Sequence, residues 1–448
     1  MNRIGRRCAF GVIVVGLALG VQSRAWAGDP NDDGCLHEAN PDLKIGYCAR
    51  VIQSGRYIGA NAAWAFNNRG NGYHRKGENF RAIQDYDEAI RLKPDFALAF
   101  NNRGNAYSDK GDYDRAIQDL DKGIRMKPDD AQAFTNRGRA YYSKGQYDRA
   151  IQDYSEAIRL KPDDVQAFDN RGNAYDGNGQ YDRAIQDYDE AIRLNPDYAE
   201  AFNDRGTAYY DKGQLDRAIR DYDEAIRLTP DYAGALSNRG NAYTYKGEYD
   251  RAILDLDKAI RLKPDYALAF NNRAIAYSDK GQYDRAIQDF TEAIHLKPDD
   301  AEVLANRGTA YSDKGQYDRA IQDYNEAIRL KADYARAYNG RCWVKIGLQQ
   351  AAQAIADCDK SLKLRPNDAS TLDSRGWAYL RAGKSPNAGL DFSAAIGLKP
   401  KMAGSLYGRS LFERRSGDLY HADQDLAAAK AIQPDIQQDL ARQHIWPQ

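Results

Sequence analysis

Eleven arginines and eleven aspartates recur along this chain in fixed pairs, each aspartate sixteen residues after its arginine. The pairs are Arg69 and Asp85, Arg103 and Asp119, Arg137 and Asp153, Arg171 and Asp187, Arg205 and Asp221, Arg239 and Asp255, Arg273 and Asp289, Arg307 and Asp323, Arg341 and Asp357, Arg375 and Asp391, and Arg409 and Asp425. Guanidinium and carboxylate groups in such a register can bond each other, because the planar fork of arginine matches the two oxygens of a carboxylate. The alternative is a charged ladder that reads a ligand. Four cysteines offer a second chemistry: Cys35, Cys48, Cys342 and Cys358. Their even number suits two disulfides in an oxidising compartment, Cys35 with Cys48 and Cys342 with Cys358. The alternative there is four separate buried thiols.

Enzyme chemistry has no comparable footing. The five histidines, His37, His74, His295, His421 and His444, are scattered. The sequence has no phosphate-cradling glycine loop, no G-x-S-x-G and no H-E-x-x-H. Its many carboxylates recur with a repeat and so carry no acid–base signal. No catalytic residue, metal ligand or cofactor is expected.

The element that must position these residues is a 34-residue word written eleven times between Ala63 and Ile436. One copy runs from Ala97 to Asp130. A proline closes each word from Pro94 to Pro434, except where Ala332 takes its place. Within a word, positions 4, 8 and 11 (Phe100, Gly104 and Tyr107) share one face of a first helix. Positions 20, 24, 27 and 28 (Ala116, Leu120, Gly123 and Ile124) share one face of a second. Gly111 makes the turn between them, and the Lys-Pro-Asp ending stops the second helix. Alanine holds position 20 in all eleven words, and glycine holds position 8 in most. Small side chains there allow close helix approach. A hairpin of this kind buries its apolar face only against its neighbours, so the words must stack. Positions 7 and 23 then come level inside each hairpin, which brings each arginine to its aspartate. An aspartate so paired is expected below its ordinary pKa, making the array sensitive to acid.

The ends read differently. Arg3, Arg6 and Arg7, the apolar run Ala9 to Val21 and the small-x-small site Ala25-Trp26-Ala27 describe an export leader, residues 1–27, cut after Ala27. An apolar run of 13 residues falls short of the ~20 that a spanning helix needs, so no membrane span is expected after cleavage. The lost piece holds four arginines and no acid, so a chain of net charge −1 would mature to −5. Neither nucleic acid nor an anionic membrane is suggested as a partner. Residues 28–62 read as a cap with a degenerate helical hairpin, Cys35 lying just before its helix and Cys48 at the equivalent of position 24. Residues 63–436 are the eleven repeats, and 437–448 a capping tail.

The pattern Phe66, Gly70, Tyr73, Ala82, Tyr86, Ala89 and Pro94 resembles the tetratricopeptide repeat. The resemblance covers nearly all of the chain after the leader. It implies an all-α, right-handed superhelical solenoid of about eleven helix-turn-helix units that binds proteins or peptides and does no chemistry. The arginine at position 7 and the aspartate at position 23 depart from the family's usual leucine and aromatic.

In that family positions 2, 5, 9 and 12 usually line the inner groove. Carried over, they give an early groove of Trp64, Asn67, Asn71, His74, Asn101, Asn105, Arg139 and Tyr142. The middle holds Asp169, Asn173, Asn203, Tyr210, Asn241, Asn271 and Thr309. Asparagine offers a donor and an acceptor to the backbone of an extended peptide; a merely solvated inner face is the alternative. The last repeats present Trp343, Ile346, Trp377, Leu380 and Leu411, which form either an apolar contact site or a surface covered by a tail containing Ile436, Leu440 and Trp446. The expected function is an exported scaffold, periplasmic or secreted, that holds a partner's extended segment. The second expectation is a structural part of an envelope assembly such as polysaccharide export.

Overall fold

The computed structural model describes residues 29–445. The expected leader, its cleavage point after Ala27, and Trp446 lie outside the described residues. Within them are twenty-five α-helices and one short 3-10 turn, and no strand. The helices keep the 34-residue beat. Repeat two has Ala97–Asp109 and Tyr113–Met126, repeat five Ala199–Asp211 and Leu215–Leu228, and repeat eleven Ala403–Ser416 and Leu419–Ile432. Each second helix ends at the residue two before the proline position; where proline is present, the residue preceding it is driven out of the helical region, and Leu330 ends its helix at the same place ahead of Ala332.

The helices form two compact units, which divide the described residues between Pro162 and Asp163. The first holds helices Pro30–His37 and Pro41–Gln53, the turn Gly59–Ala62 and repeats one to three; the second holds repeats four to eleven and a terminal helix Ile436–Arg442. Inside each unit the two helices of a repeat pack as an antiparallel hairpin, and each second helix packs on the first helix of the next repeat. In the second unit the first helices of successive repeats also touch one another, so they form one continuous face.

The small residues explain the close packing. The alanine at position 20 is fully buried in all eleven repeats, from Ala82 to Ala422. A Cβ added at Gly70 would stand 2.7 Å from the Tyr86 ring, and one at Gly104 2.8 Å from Leu120. Positions 8 and 24 are therefore in direct contact, and that contact specifies glycine against a large ring or leucine.

Ten hairpin turns use a glycine in the left-handed region, with φ between 69° and 90°. In repeat nine Gln349 takes the same conformation at φ 62°. A side chain there costs ~1–2 kcal/mol, offset in part by the lower chain entropy of glutamine in the unfolded state. Gln349→Gly is expected to raise stability by ~1 kcal/mol, read as a higher urea midpoint. A lower midpoint would mean the Gln349 side chain makes compensating contacts.

The first-helix face as a candidate binding site

Every Arg–Asp pair is joined by two hydrogen bonds. Arginine Nε donates to aspartate Oδ2 and Nη2 to Oδ1, at 2.5–2.9 Å in all eleven repeats. The aspartates are buried or nearly so: Asp119 is 4% exposed and Asp221 8%. The third nitrogen was not legible in the sequence. In several repeats Nη1 donates to position 25 of the preceding repeat, as Arg103 does to Asp87 at 2.5 Å and Arg205 to Asp189 at 2.6 Å. The arginine thus fixes both its own hairpin and the junction behind it. The expected fall in aspartate pKa does not hold throughout. Burial is the larger cause at Asp153 and Asp187 and raises both, despite the bonds from Arg137 and Arg171. A raised carboxyl stabilises the fold below its unfolded pKa and ceases to do so as pH rises through the folded value. These two pairs therefore give no melting in acid.

Both cysteine pairs are joined. Cys35 and Cys48 have Sγ atoms 2.05 Å apart and Cα atoms 4.7 Å apart. Cys342 and Cys358 have Sγ atoms 2.11 Å apart and Cα atoms 5.6 Å apart. Cys35 lies inside the helix Pro30–His37 rather than before a helix, so the first bridge ties two helices of the cap. The second occupies positions 8 and 24 of repeat nine, the same positions that bring glycine against a ring elsewhere. Its loop spans 16 residues, worth ~3 kcal/mol on the chain-entropy model. The double variant Cys342→Ala with Cys358→Ala is expected to lose about that much in chemical denaturation. An unchanged midpoint would show that the bridge adds nothing.

The groove residues divide into two sets. Position 5 is largely buried: Asn67 is 1% exposed, Asn101 5%, Asn203 8% and Asn271 7%. Most of these amides serve the stack. Asn102 donates to Asn67 at 2.9 Å, Asn238 to Asn203 at 3.0 Å and Asn306 to Asn271 at 3.2 Å. Position 6 of one repeat thus bonds position 5 of the repeat before it, which corrects the assignment of Asn67, Asn203 and Asn271 as open ligand contacts. Asn101 instead donates to Asp130 at the end of its own repeat. Other groove positions have partners but keep some exposure. Asn71 accepts from Tyr86 and Asn173 from Tyr188, His74 bonds Asp109, and Arg139 bonds Asn105. Asn241 donates to Tyr210, Thr309 bonds the Tyr324 hydroxyl, and Trp64 meets Tyr57 edge-on. Tyr142 is exposed.

The apolar positions of the last repeats are covered. Ile346, Trp377 and Leu380 share one core with Ile436, Leu440 and Ile445 of the tail, with Trp343 and Leu411 packed against it. Gln443 accepts from Trp343 Nε1 at 3.2 Å through its side chain and from the Tyr317 hydroxyl at 3.0 Å through its carbonyl. Arg381 donates to the Ile445 carbonyl at 2.9 Å. These five residues are therefore not an open contact site, because the chain itself fills it.

One stretch of the face is acidic. Burial, with Asp204 nearby, pushes the Asp169 carboxyl up to about 8, while a Tyr198 hydrogen bond pulls it down and Glu200 adds to the rise. Burial and Asp211 lift Asp176 to about 6. Such groups stabilise the fold fully below their unfolded value of about 3.9 and lose that contribution as pH rises through 6 to 8. Asp169→Asn is accordingly expected to stabilise the protein by ~2–4 kcal/mol at pH 8.5 and by little at pH 4. Thermal melts of both proteins across that range read the difference. A difference independent of pH would show that Asp169 ionises normally.

A cavity of about 960 Å3 opens on the first-helix face of repeats six to nine. Asn241, Tyr245, Leu268, Asn271, Asn306 and Arg336 are among its lining residues. Among the described residues no group of three or more His, Cys, Asp or Glu is placed to hold a metal ion, and no helix is long and apolar enough to cross a membrane.

Comparison with known proteins agrees with this architecture. A family model described as TPR repeat matches residues 70–111, 104–145, 138–179 and 240–281. Two described as Tetratricopeptide repeat match residues 170–233, and 267–300 and 301–334. Together they cover more than half of the chain. No curated protein matches it. Among solved structures, a chain of the APC/C hetero-tetramer Cut9–Hcn1 is similar over 93% of this chain and 97% of its own, at 15% identity and a TM-score of 0.52. Yeast Tom70 is similar over 91% of this chain and 98% of its own, at 16% identity and a TM-score of 0.45. YrrB, described as a TPR protein with an unusual peptide-binding site, is 27% identical over 42% of this chain and 96% of its own, with a TM-score of 0.34. The first likeness carries the fold alone. With eleven helix pairs on one beat and the repeat models matched in register, the chain belongs to the tetratricopeptide repeat family.

Proposed function

We propose that the protein is an exported, non-catalytic scaffold that holds an extended segment of a partner protein on its first-helix face. The family's fold is generally an interaction scaffold. The observation that carries the reading is the 960 Å3 cavity, with amides and a tyrosine along its wall. Amide side chains bond peptide backbone whatever its sequence, and tyrosine adds rigid contact area. Two buried disulfides support an oxidising compartment, as does the leader-like sequence of residues 1–27. A photoreactive residue at Leu268, 49% exposed and on the cavity wall, should capture a partner in the envelope fraction. The same group at Leu254, 68% exposed on a second helix, should not. Equal capture at both, or none at Leu268, overturns the reading.

A further inference from the structure

The asparagine ladder has a rung with no donor. Position 6 is asparagine in most repeats, and its amide donates to position 5 of the repeat before, as Asn238 to Asn203, Asn272 to Ser237 and Asn306 to Asn271. Between repeats four and five the two places hold Asp169 and Asp204. Both side chains are acceptors when ionised, so the amide hydrogen bond made at those rungs is missing here, and a cation entering the site would draw the Asp169 carboxyl, pushed up to about 8 by burial, back to its ionised form. What remains is weak. Asn173 Nδ2 reaches Asp204 Oδ2 at 3.2 Å and Asp169 Oδ2 at 3.5 Å, and the Tyr198 hydroxyl reaches Asp169 Oδ2 at 3.4 Å. Asn203 holds the other oxygen of Asp204 at 2.9 Å. Asp169 is 6% exposed, and its Oδ1 has no hydrogen-bond partner. A buried acceptor left unmade is costly, and it is unusual in a chain that pairs eleven other buried aspartates with arginine.

No lysine or arginine among the described residues forms an ion pair with Asp169 or Asp204. The charged neighbours that act on Asp169 are both acids, Asp204 and Glu200. Glu200 lies at the exposed edge, and the rings of Tyr198 and Tyr232 stand close enough to feel the same three carboxylates. Carboxylates below and phenol rings beside them make an environment that attracts a cation carrying several N–H donors.

We propose that Asp169 and Asp204 form the seat for a basic side chain of the partner, a lysine ammonium or an arginine guanidinium, which supplies the donors that this rung lacks. The inference rests on the peptide-binding reading above and adds the chemistry of one anchor residue. The segment lies along the first-helix face, and its basic side chain enters between the first helices of repeats four and five, with the stem passing Tyr198 and Glu200. The sites elsewhere on the face, built of amides, read backbone; this one reads charge.

The test uses the full chain and a fluorescent peptide of four Gly-Ser-Arg triplets, with a Gly-Ser-Gln peptide of the same length as the control, read by anisotropy. The arginine peptide is expected to bind on the order of tenfold or more tighter than the glutamine peptide. Asp204→Asn restores the amide of the other rungs, so it should fold at least as well as the parent. It is expected to remove that preference. Asp313→Asn takes one carboxylate from a first helix three repeats away, outside the cavity wall, and should leave the preference intact. Equal loss in both variants would mean that only the net field attracts the peptide, which overturns the seat. A preference unchanged in Asp204→Asn, or none in the parent, overturns it too. A carboxyl pair that merely shares a proton would show itself as a changed pH–melting profile in Asp204→Asn with no change in peptide binding, again against the proposal. Crosslinking from Leu268 separates the two levels. Capture there with no arginine preference leaves the groove reading standing and removes the seat; no capture removes both.

Discussion

Arg205→Ala is expected to lower the unfolding free energy by about 3–5 kcal/mol, the range for removing one partner of a buried, hydrogen-bonded ion pair. The arginine reaches Asp221 at 2.8 and 2.7 Å and Asp189 of the preceding repeat at 2.6 Å. Its loss leaves Asp221, 8% exposed, with a charge and no donor. The pair itself is worth less than that penalty. Replacing both residues at once, Arg205→Met with Asp221→Leu, is expected to be far milder than either single change, because nothing charged remains buried. A double-mutant cycle reads the coupling. Near-additive single and double variants would show that the two side chains do not depend on each other. The bond to Asp189 adds a second signature. In a stack held by nearest-neighbour contacts, a lesion at one junction uncouples the repeats on either side. The variant should therefore unfold over a broader denaturant range than the parent.

The repeat itself was fully legible in the sequence, because its signals are local. Helix ends follow from Gly111 and Pro128, and buried faces from the recurrence of Ala116 and Leu120. The level pairing of Arg103 with Asp119 follows from hairpin geometry alone. What the period hides is the contact between one copy and the next. The bond from Arg103 to Asp87 and the ladder from Asn102 to Asn67 both cross a repeat boundary. A single 34-residue word does not say which of its positions meets the word before. Position 5 consequently read as an open groove when most of its amides are consumed in the stack. The same blindness affects charge. The aspartates of the ladder were read as stabilised anions, but at Asp153 and Asp187 desolvation exceeds the arginine's pull, and burial depth is not written in a pair spacing. The acid couple was visible as a break in pattern: aspartate at 204, where the repeats on either side carry Asn170 and Asn238, and aspartate at 169, at a position that is otherwise uncharged in the first eight repeats. Its meaning needed the rung geometry.

Removal of residues 435–448 is expected to uncover the apolar surface of the last repeats and to cost on the order of 3–5 kcal/mol. Ile436, Leu440 and Ile445 are 4%, 4% and 1% exposed. Burying such a side chain contributes about 1.5–3 kcal/mol each, and part of that total is returned as the tail regains its conformational freedom. The tail also bridges repeats. Its Gln443 and Ile445 carbonyls and the Gln443 side chain accept from Tyr317 in repeat eight, Trp343 in repeat nine and Arg381 in repeat ten. Without it, Trp377 and Leu380, now 0% and 2% exposed, lose one wall of their core. The truncated protein should bind an apolar dye, shift its tryptophan emission to the red relative to a full-length Trp446→Phe reference and associate at high concentration, since a contiguous apolar patch seeks a partner. Leu440→Ala in the full chain separates packing from chain length. It keeps the backbone bonds of the tail and should cost ~2–5 kcal/mol as a core truncation. The disulfide between Cys342 and Cys358 lies in the same core, so repeat nine should keep its hairpin while the surface around it opens. A truncated protein with unchanged tryptophan emission and an unchanged denaturation midpoint would show that the last repeats are self-sufficient and that the tail only rests on them.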